Sequence, residues 1–320
     1  MNIVIQSESH DLSTDDVISW IYHLNKTSRI SKLDDFTEVN DISLEMSNAN
    51  KVSVVVNNNV NIDKETKYWY RRGEFDIDKK LTKKSNLNRN LCDETIRPIL
   101  DYLDSGINQN YLNKFADNSV NKLKLLEKAI NLDINIPDTL ITSELSQLKE
   151  FVTQHKKVIT KPIKNPFINF NTTEYKVKFT THSKLITSDD LADEDYKFLP
   201  SFFQKYIEKK IEIRSFYLKG AFYSMAIFSQ QNEKTKIDYR NYDRTKPNRC
   251  VPFNLPDDLK EKLTVMMEEL ELNSGSFDII LTPDNEYYFL EVNPIGQFQW
   301  LSKNCNYYLE KRIAKSLINE

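Results

Sequence analysis

The sequence predicts an α/β protein with α+β character. Three observations carry the prediction. Short strands alternate with polar connections and two helices through residues 1–115, and a second unit begins near Ala116. The last third is rich in strands joined by tight turns, at Lys219-Gly220 and Asp284-Asn285. The expected division is an N-terminal open α/β domain (1–115), a central subdomain (116–200) and a C-terminal subdomain (201–320).

In chain order, Asn2–Ser7 is an apolar-rich strand. Ser13 or Thr14 can cap a helix over Asp15–Asn25, whose Val17, Ile18, Ile21 and Leu24 share one stripe. Lys51–Val56 and Lys67–Tyr70 read as strands and Glu94–Leu103 as a helix. In the second unit Ser119 can cap a helix to Leu132, with Val120, Leu123, Leu126 and Ile130 apolar, before Asn135-Ile136-Pro137 restores extended chain. A helix from Ser143 to His155, the strand Lys157–Pro162, a loop over Asn165–Asn171 and the strand Tyr175–Phe179 follow. The third unit opens with strands at Phe202–Ile207, Ile211–Leu218 and Ala221–Phe228, then a polar, mobile connection over Asn232–Asn248. Pro256 starts a helix over Asp257–Leu272 with Leu259, Leu263, Met266, Met267 and Leu270 as its core. Phe277–Leu281 and Tyr287–Val292 pair as a hairpin, and a last helix begins near Asn306.

Composition excludes several functions. Hydrophobic residues make up 39% and charged residues 28% of 320, enough for a sizeable core. A net charge of −3 argues against a dedicated nucleic-acid binder, and no apolar run approaches the ~20 residues of a membrane span. The start, Met1-Asn2-Ile3-Val4-Ile5-Gln6, does not read as a signal peptide, and three scattered cysteines do not make a disulfide framework; a cytoplasmic location is expected. With only five glycines, and none between Gly106 and Gly220, the dinucleotide fingerprint, the P-loop, the kinase glycine loop and the nucleophile elbow are absent. Four dispersed histidines give a zinc site almost no support. A nucleotide, if bound, must be held by side chains.

The C-terminal hairpin is the strongest local signal. A two-residue turn at Asp284-Asn285 sets Asp278 opposite Glu291, with Asn293 on the same face. Facing carboxylates about 4.5–5.5 Å apart at Cβ repel unless a cation joins them, and oxygen-only donors suit Mg²⁺. The competing reading, a slipped register or one carboxylate in solvent, is equally open from pattern alone. Lys161, ending its strand, and Lys122, in the first turn of its helix, are either solvated tips or point charges for phosphate. Gln204-Lys205-Tyr206-Ile207 is either a plain core strand or an edge offering backbone groups to adenine. Glu212 and Arg214 leave one strand face together, as a surface pair or as ligands of ribose and phosphate. Arg240, beside Asp238, lies in the polar connection.

These pieces, in this order, resemble an ATP-grasp ligase over residues 116–320. The matching elements are Lys122 and Lys161 for phosphates, Gln204–Ile207 as adenine hinge, Glu212-Ile213-Arg214, and Asp278 with Glu291-Val292-Asn293-Pro294. A narrower match joins Tyr70-Arg71-Arg72, Asn121-Lys122-Leu123, Ile136-Pro137-Asp138-Thr139, Asp238-Tyr239-Arg240 and the run Phe289–Trp300. Together these are similar to the peptide maturases that make graspetides, the microviridin ligases among them, and look most like the grasp-with-spasm type. Two departures stand out: no glycine in the loop between Ile163 and Tyr175, and Lys205 where many relatives are acidic.

The resemblance implies ATP and Mg²⁺ as cofactors, with Asp278, Glu291 and Asn293 as metal ligands. It implies phosphorylation of an Asp or Glu side chain in a precursor peptide made of leader and core. A Ser, Thr or Lys of the same peptide then closes an ω-ester or ω-amide ring. Arg214, with Arg240 oriented by Asp238, would act on the reacting groups, and a homodimer is implied. Two other readings are an ATP-grasp ligase that adds a free amino acid to a carboxylate and a non-catalytic peptide-binding module.

Overall fold

The computed structural model describes residues 1–33, 38–39, 41–48, 51–57, 59–73, 76–77, 94–95, 98–99, 101–102, 111–163, 167–171, 175–180, 183–194 and 196–318. The N-terminal part contains β1 (Asn2–Gln6), α1 (Leu12–Leu24), β2 (Arg29–Leu33), β3 (Glu38–Val39), β4 (Ile42–Ser47), β5 (Lys51–Val56), β6 (Val60–Asp63), β7 (Lys67–Tyr70), β8 (Asp76–Ile77) and β9 (Tyr111–Leu112). Then follow α2 (Lys122–Asn131), β10 (Thr139–Glu144), α3 (Leu145–His155), β11 (Val158–Thr160), β12 (Phe167–Asn171), β13 (Lys176–Thr180), β14 (Lys184–Ile186) and β15 (Lys197–Lys205). The chain closes with β16 (Ile211–Leu218), β17 (Ala221–Ile227), β18 (Cys250–Phe253), α4 (Asp257–Glu269), β19 (Ser274–Leu281), β20 (Tyr287–Asn293), α5 (Gln299–Cys305) and α6 (Leu309–Ile318).

Three sheets position the site. A parallel sheet in the order β2-β1-β7-β9 makes the N-terminal layer. An antiparallel sheet, β10-β15-β11-β14, forms the middle, and a five-stranded antiparallel sheet, β18-β17-β16-β19-β20, the last part. The five-stranded sheet is covered on both faces. On one lie α2 and α4, through Leu126, Leu263, Met266 and Met267; on the other lie α1, α5, α6 and the N-terminal sheet, through Ile5, Val17, Trp69, Leu301 and Ile313. Every residue of β16 is buried as a result, Glu212 and Arg214 included.

Several elements differ from expectation, each for a local reason. Asp11, not Ser13 or Thr14, caps α1, accepting from the Ser13 amide at 3.0 Å, so the helix starts at Leu12. Asn121 rather than Ser119 caps α2, and its buried face is Leu125, Leu126 and Ala129; Leu123 and Ile130 are exposed. The hinge strand begins at Lys197 and ends at Lys205, pairing with both β10 and β11, so Tyr206 and Ile207 lie beyond it. Asn165–Asn171, read as a loop, contributes β12, hydrogen-bonded to β13. The last helix, expected from near Asn306, starts at Leu309, and an unexpected helix, α5, precedes it; Asn306 at φ 54° turns the chain between them. The polar connection is tied down: Thr235 is buried and donates to Ser229 O and Asn248 Oδ1, both at 2.9 Å. Of the helix expected over Glu94–Leu103, residues 94–95, 98–99 and 101–102 are described and are helical; the rest lie outside the described residues.

The β19–β20 hairpin reaches the expected site register by a different route. Its loop has three residues, Pro283-Asp284-Asn285, with Asn285 at φ 64° and Thr282 N–H donating to Glu286 O at 2.9 Å. That loop alone would put Asp278 opposite Leu290. A β-bulge between Asp278 and Ile279 on the partner side removes the offset, so Asp278 faces Glu291 and Ser276 faces Asn293.

Beyond the hairpin, Gly296 passes so close to β19 that a Cβ there would lie 2.5 Å from Ser276 Cβ and 2.9 Å from Asn293 O. Gly296→Ala is expected to destabilise the protein by about 1–3 kcal/mol in denaturant unfolding, the usual range for overpacking. Adding Ser276→Gly should recover part of the loss. An unchanged midpoint in the single variant would show that the approach is looser.

Candidate active site

Every residue singled out above for chemistry lines one cleft of about 770 Å³ where the middle and five-stranded sheets meet. The middle sheet supplies Lys161, at the end of β11, and Gln204 and Lys205, at the end of β15. Lys122 is the first residue of α2, Glu212 and Arg214 stand on β16, and Asp278, Glu291 and Asn293 on the hairpin. Asp238 and Arg240 come from the connection after β17.

The carboxylates of the hairpin are held by cations. Arg214 Nη1 donates to both oxygens of Asp278 at 2.8 Å, while its buried Nε has no partner among the described residues. Lys122 Nζ lies 2.6 Å from Glu291 Oε2, and Asn293 Nδ2 donates to Glu291 Oε1 at 3.4 Å. Burial acts to raise the Glu291 carboxyl, yet Lys122 and Lys161 hold it at about 2. Lys161 has no carboxylate within ion-pair distance among the described residues. Burial, with the like charge of Lys122 next, pushes its ammonium down to about 8. Both lysines sit over the Phe202 ring, at 5.9 and 5.7 Å.

The remaining groups divide between free and engaged. The N–H groups of Lys205 and Tyr206 donate to Asp138 O (2.9 Å) and Lys157 O (3.0 Å), so along this edge the N–H of Ile207 is the one still available among the described residues. The Gln204 side chain donates to Thr139 Oγ1 at 3.0 Å, and Lys205 is drawn to Asp138 at 3.9 Å. Glu212 pairs with Lys209 (3.0 Å) and Ser229 (2.7 Å) rather than with Arg214; burial raises its pKa. Arg240 grips Asp238 through Nε and Nη2, each at 2.8 Å, and its side chain is 50% exposed at the cleft. Burial opposes ionisation of Asp238, but the Arg240 bonds hold it at about 2.

Sequence reasoning missed several lining residues. Lys209 carried no motif, and its pairing with Glu212 depends on the turn between β15 and β16. Tyr239 looks like a spacer between Asp238 and Arg240, yet it donates to Asp278 Oδ1 at 3.3 Å and stacks on Trp300 with centroids 5.9 Å apart. Arg71, noted only as part of a motif, is buried and donates to the carbonyls of Ile295 (2.8 Å) and Gly296 (3.3 Å) and to Gln297 Oε1 (3.4 Å). It thereby ties the N-terminal sheet to the segment just after Asn293. Burial, with Arg72 next, lowers its pKa to about 10, and Asp11 at 3.4 Å offsets part of that.

The donor set fits Mg²⁺. Two carboxylates, one held ionised, stand directly opposite on one hairpin with an amide beside them, all oxygen donors of the hard-cation type. Among the described residues no cluster of three or more His, Cys, Asp or Glu side chains that could hold a metal ion occurs. Also among the described residues, no helix is long and apolar enough to cross a membrane.

No protein-family model matches the chain, and no curated protein matches it. Solved structures do. A Chryseobacterium gregarium RiPP-associated ATP-grasp ligase, in complex with ADP and a leader and core peptide, superposes with a TM-score of 0.78 at 23% identity, covering 99% of this chain and 95% of that one. The macrocyclase MdnC from Microcystis aeruginosa, bound with its precursor peptide MdnA, gives 0.76 at 23% identity over 100% of both chains. Macrocyclase MdnB of the same organism gives 0.71 at 25% identity over 100% of this chain and 99% of its own. The chain therefore has the ATP-grasp ligase fold, in the form shared with these peptide-modifying ligases.

Proposed function

We propose that this protein is an ATP-dependent peptide macrocyclase. It would phosphorylate an Asp or Glu side chain of a ribosomally made precursor and close an ω-ester or ω-amide ring with a Ser or Thr hydroxyl or a Lys amine of the same peptide. The observation that carries the reading is the one cleft in which Asp278, Glu291 and Asn293 face Lys122, Lys161, Arg214 and Arg240. Two structural neighbours support it, one in complex with ADP and a leader and core peptide and the other bound with a precursor peptide. The reading extends to a cytoplasmic homodimer that uses neither nucleic acid nor membrane.

A carboxylate is a poor electrophile, and phosphorylating it creates a good leaving group. Lys161 and Lys122 would draw in the triphosphate as point charges, the task a glycine loop performs elsewhere. The Ile207 N–H would meet the adenine edge and Glu212 the ribose hydroxyls. Arg240, aimed by Asp238, would hold the peptide carboxylate at the cleft mouth, and Arg214 would turn toward the transferring oxygen. Mg²⁺, when bound by Asp278, Glu291 and Asn293, supplies charge neutralisation on phosphate oxygens. Closure of the cleft would keep water from the acyl phosphate while the second side chain of the peptide attacks.

The direct test is incubation with candidate precursors, ATP and Mg²⁺, read by mass spectrometry. The expected product has lost one water per ring, with at least one ADP released for each, and tandem spectra show no fragmentation inside the ring. Alkali should open esters and spare amides. A product that gains the mass of an added amino acid would replace ring closure with intermolecular ligation. Tight peptide binding without any turnover would leave a binding module.

Two further outcomes follow from the geometry. Asp278→Asn, Glu291→Gln and Asn293→Ala should each lower turnover by roughly 100-fold or more while circular dichroism stays native. Lys161→Ala should weaken ATP binding in calorimetry, and Lys161→Arg should restore it only in part, because a fork replaces a point charge. The pH dependence has a definite sign. The charged form of Lys161 attracts phosphate and its pKa is about 8, so affinity should fall as pH rises through that value. The Lys161→Arg variant should lack that fall.

A further inference from the structure

We propose that Tyr239 is a positioning residue for the metal, holding the Asp278 carboxylate in place through its hydroxyl and thereby linking the peptide-binding turn to the metal hairpin; the inference rests on the function proposed above. The turn itself is rigid. Asp238 accepts from the Arg240 amide at 3.1 Å and from its guanidinium, takes a further bond from Ser183 Oγ at 3.1 Å, and its own carbonyl receives the Asn241 amide at 3.0 Å. Neighbouring side chains in this turn have different tasks. Arg240 is half exposed in the cleft, whereas Tyr239 reaches Asp278 Oδ1 at 3.3 Å and packs its ring on Trp300 at an interplanar angle of 27°.

Asp278 needs that second partner. Among the described residues its other bonds both come from one nitrogen, Arg214 Nη1, and the buried Nε of that arginine has no acceptor there. A guanidinium gripping through a single nitrogen leaves its fork unused, and it is the group expected to move toward phosphate. Once it moves, Tyr239 is the remaining neutral donor in contact with Asp278, and a neutral donor orients a carboxylate without competing for the cation's charge. The stack on Trp300, a residue of α5, anchors the phenol from behind. Occupancy of Arg240 by a peptide carboxylate and occupancy of Asp278 by metal are then joined through three consecutive residues, and the linkage must be reciprocal.

The test uses Mn²⁺ as the probe, titrated into the full-length protein with a non-hydrolysable ATP analogue and followed by electron paramagnetic resonance. Tyr239→Phe keeps the ring and its stack and removes only the hydroxyl. Its Mn²⁺ affinity is expected to fall on the order of tenfold, the scale seen when a partner of a metal ligand is removed. In turnover, half-saturation by Mg²⁺ should rise similarly while kcat at saturating Mg²⁺ stays near the wild-type value. A purely structural loss would lower kcat at every Mg²⁺ concentration. Trp300→Leu, which removes the anchor and leaves the hydroxyl, should weaken Mn²⁺ in the same direction and serves if the first variant does not fold. Unchanged Mn²⁺ affinity in a folded variant overturns the role of Tyr239. Wild-type protein that binds no Mn²⁺ with nucleotide would instead overturn the metal site on which the proposed function stands.

Discussion

Like charges brought together in a partly dry cleft must be balanced, and that requirement organises the molecule. Lys122, Lys161, Arg214 and Arg240 arrive from a helix start, a strand end, a strand interior and a loop, yet they share one cavity. Water cannot screen them fully there, so each needs an anion or loses basicity. Arg214 has Asp278, Lys122 has Glu291 and Arg240 has Asp238. Lys161 is left over and shows the cost as a depressed pKa. The hairpin carboxylates therefore have two tasks. They neutralise the cations of the resting cleft, and they present oxygen donors of the kind a hard cation takes. Of these four cations, Lys161 alone has no carboxylate at ion-pair distance among the described residues.

The N-terminal layer takes part in this arrangement at one remove. Arg71 leaves β7 and spends its donors on the carbonyls of Ile295 and Gly296, while its guanidinium lies 5.2 Å from the Phe298 ring centre. Burying a guanidinium is expensive unless its bonds are made, so the segment after Asn293 is held wherever Arg71 holds it. Tyr70 and Arg72 add to the fastening: Asn118 donates to the Tyr70 hydroxyl at 2.7 Å, and Arg72 lies 3.6 Å from Asp11. Tyr70-Arg71-Arg72 is in this structure a clasp between layers, more than two hundred residues from the backbone it grips.

Much of this was legible in the sequence because it is periodic or local. β5, β7 and β16 have the expected boundaries, since alternation over a few residues is set by the pleat. That Asp278, Glu291 and Asn293 gather on one hairpin was legible from strand pairing, and the scarcity of glycine drew attention to Lys122 and Lys161, which reach the same cleft. What escaped is what depends on competition. Asp11 outbids Ser13 for a cap, Lys209 takes Glu212 away from Arg214, and Tyr239 points inward although its neighbour Arg240 reaches the cleft. The strand at Phe167–Asn171 has no clear alternation of its own and exists through its pairing with β13. None of these outcomes follows from spacing alone, because each is settled by a partner distant in sequence or by a backbone turn.

The β19–β20 hairpin couples two irregularities that cancel: a loop one residue longer than the tightest turn, and a bulge placed between that loop and the carboxylate pair. The pair is consequently insulated from the tip. As long as Thr282 and Glu286 flank the loop, its length leaves the register below unchanged, and the bulge alone moves Asp278 from Leu290 to Glu291. Descent with insertions and deletions at the tip can thus proceed without disturbing the ligand face, and the tip becomes free material for grafting. Its outermost residues, Asp284 and Asn285, lie on the solvent side of the bulge, where added length is absorbed before it reaches the chemistry.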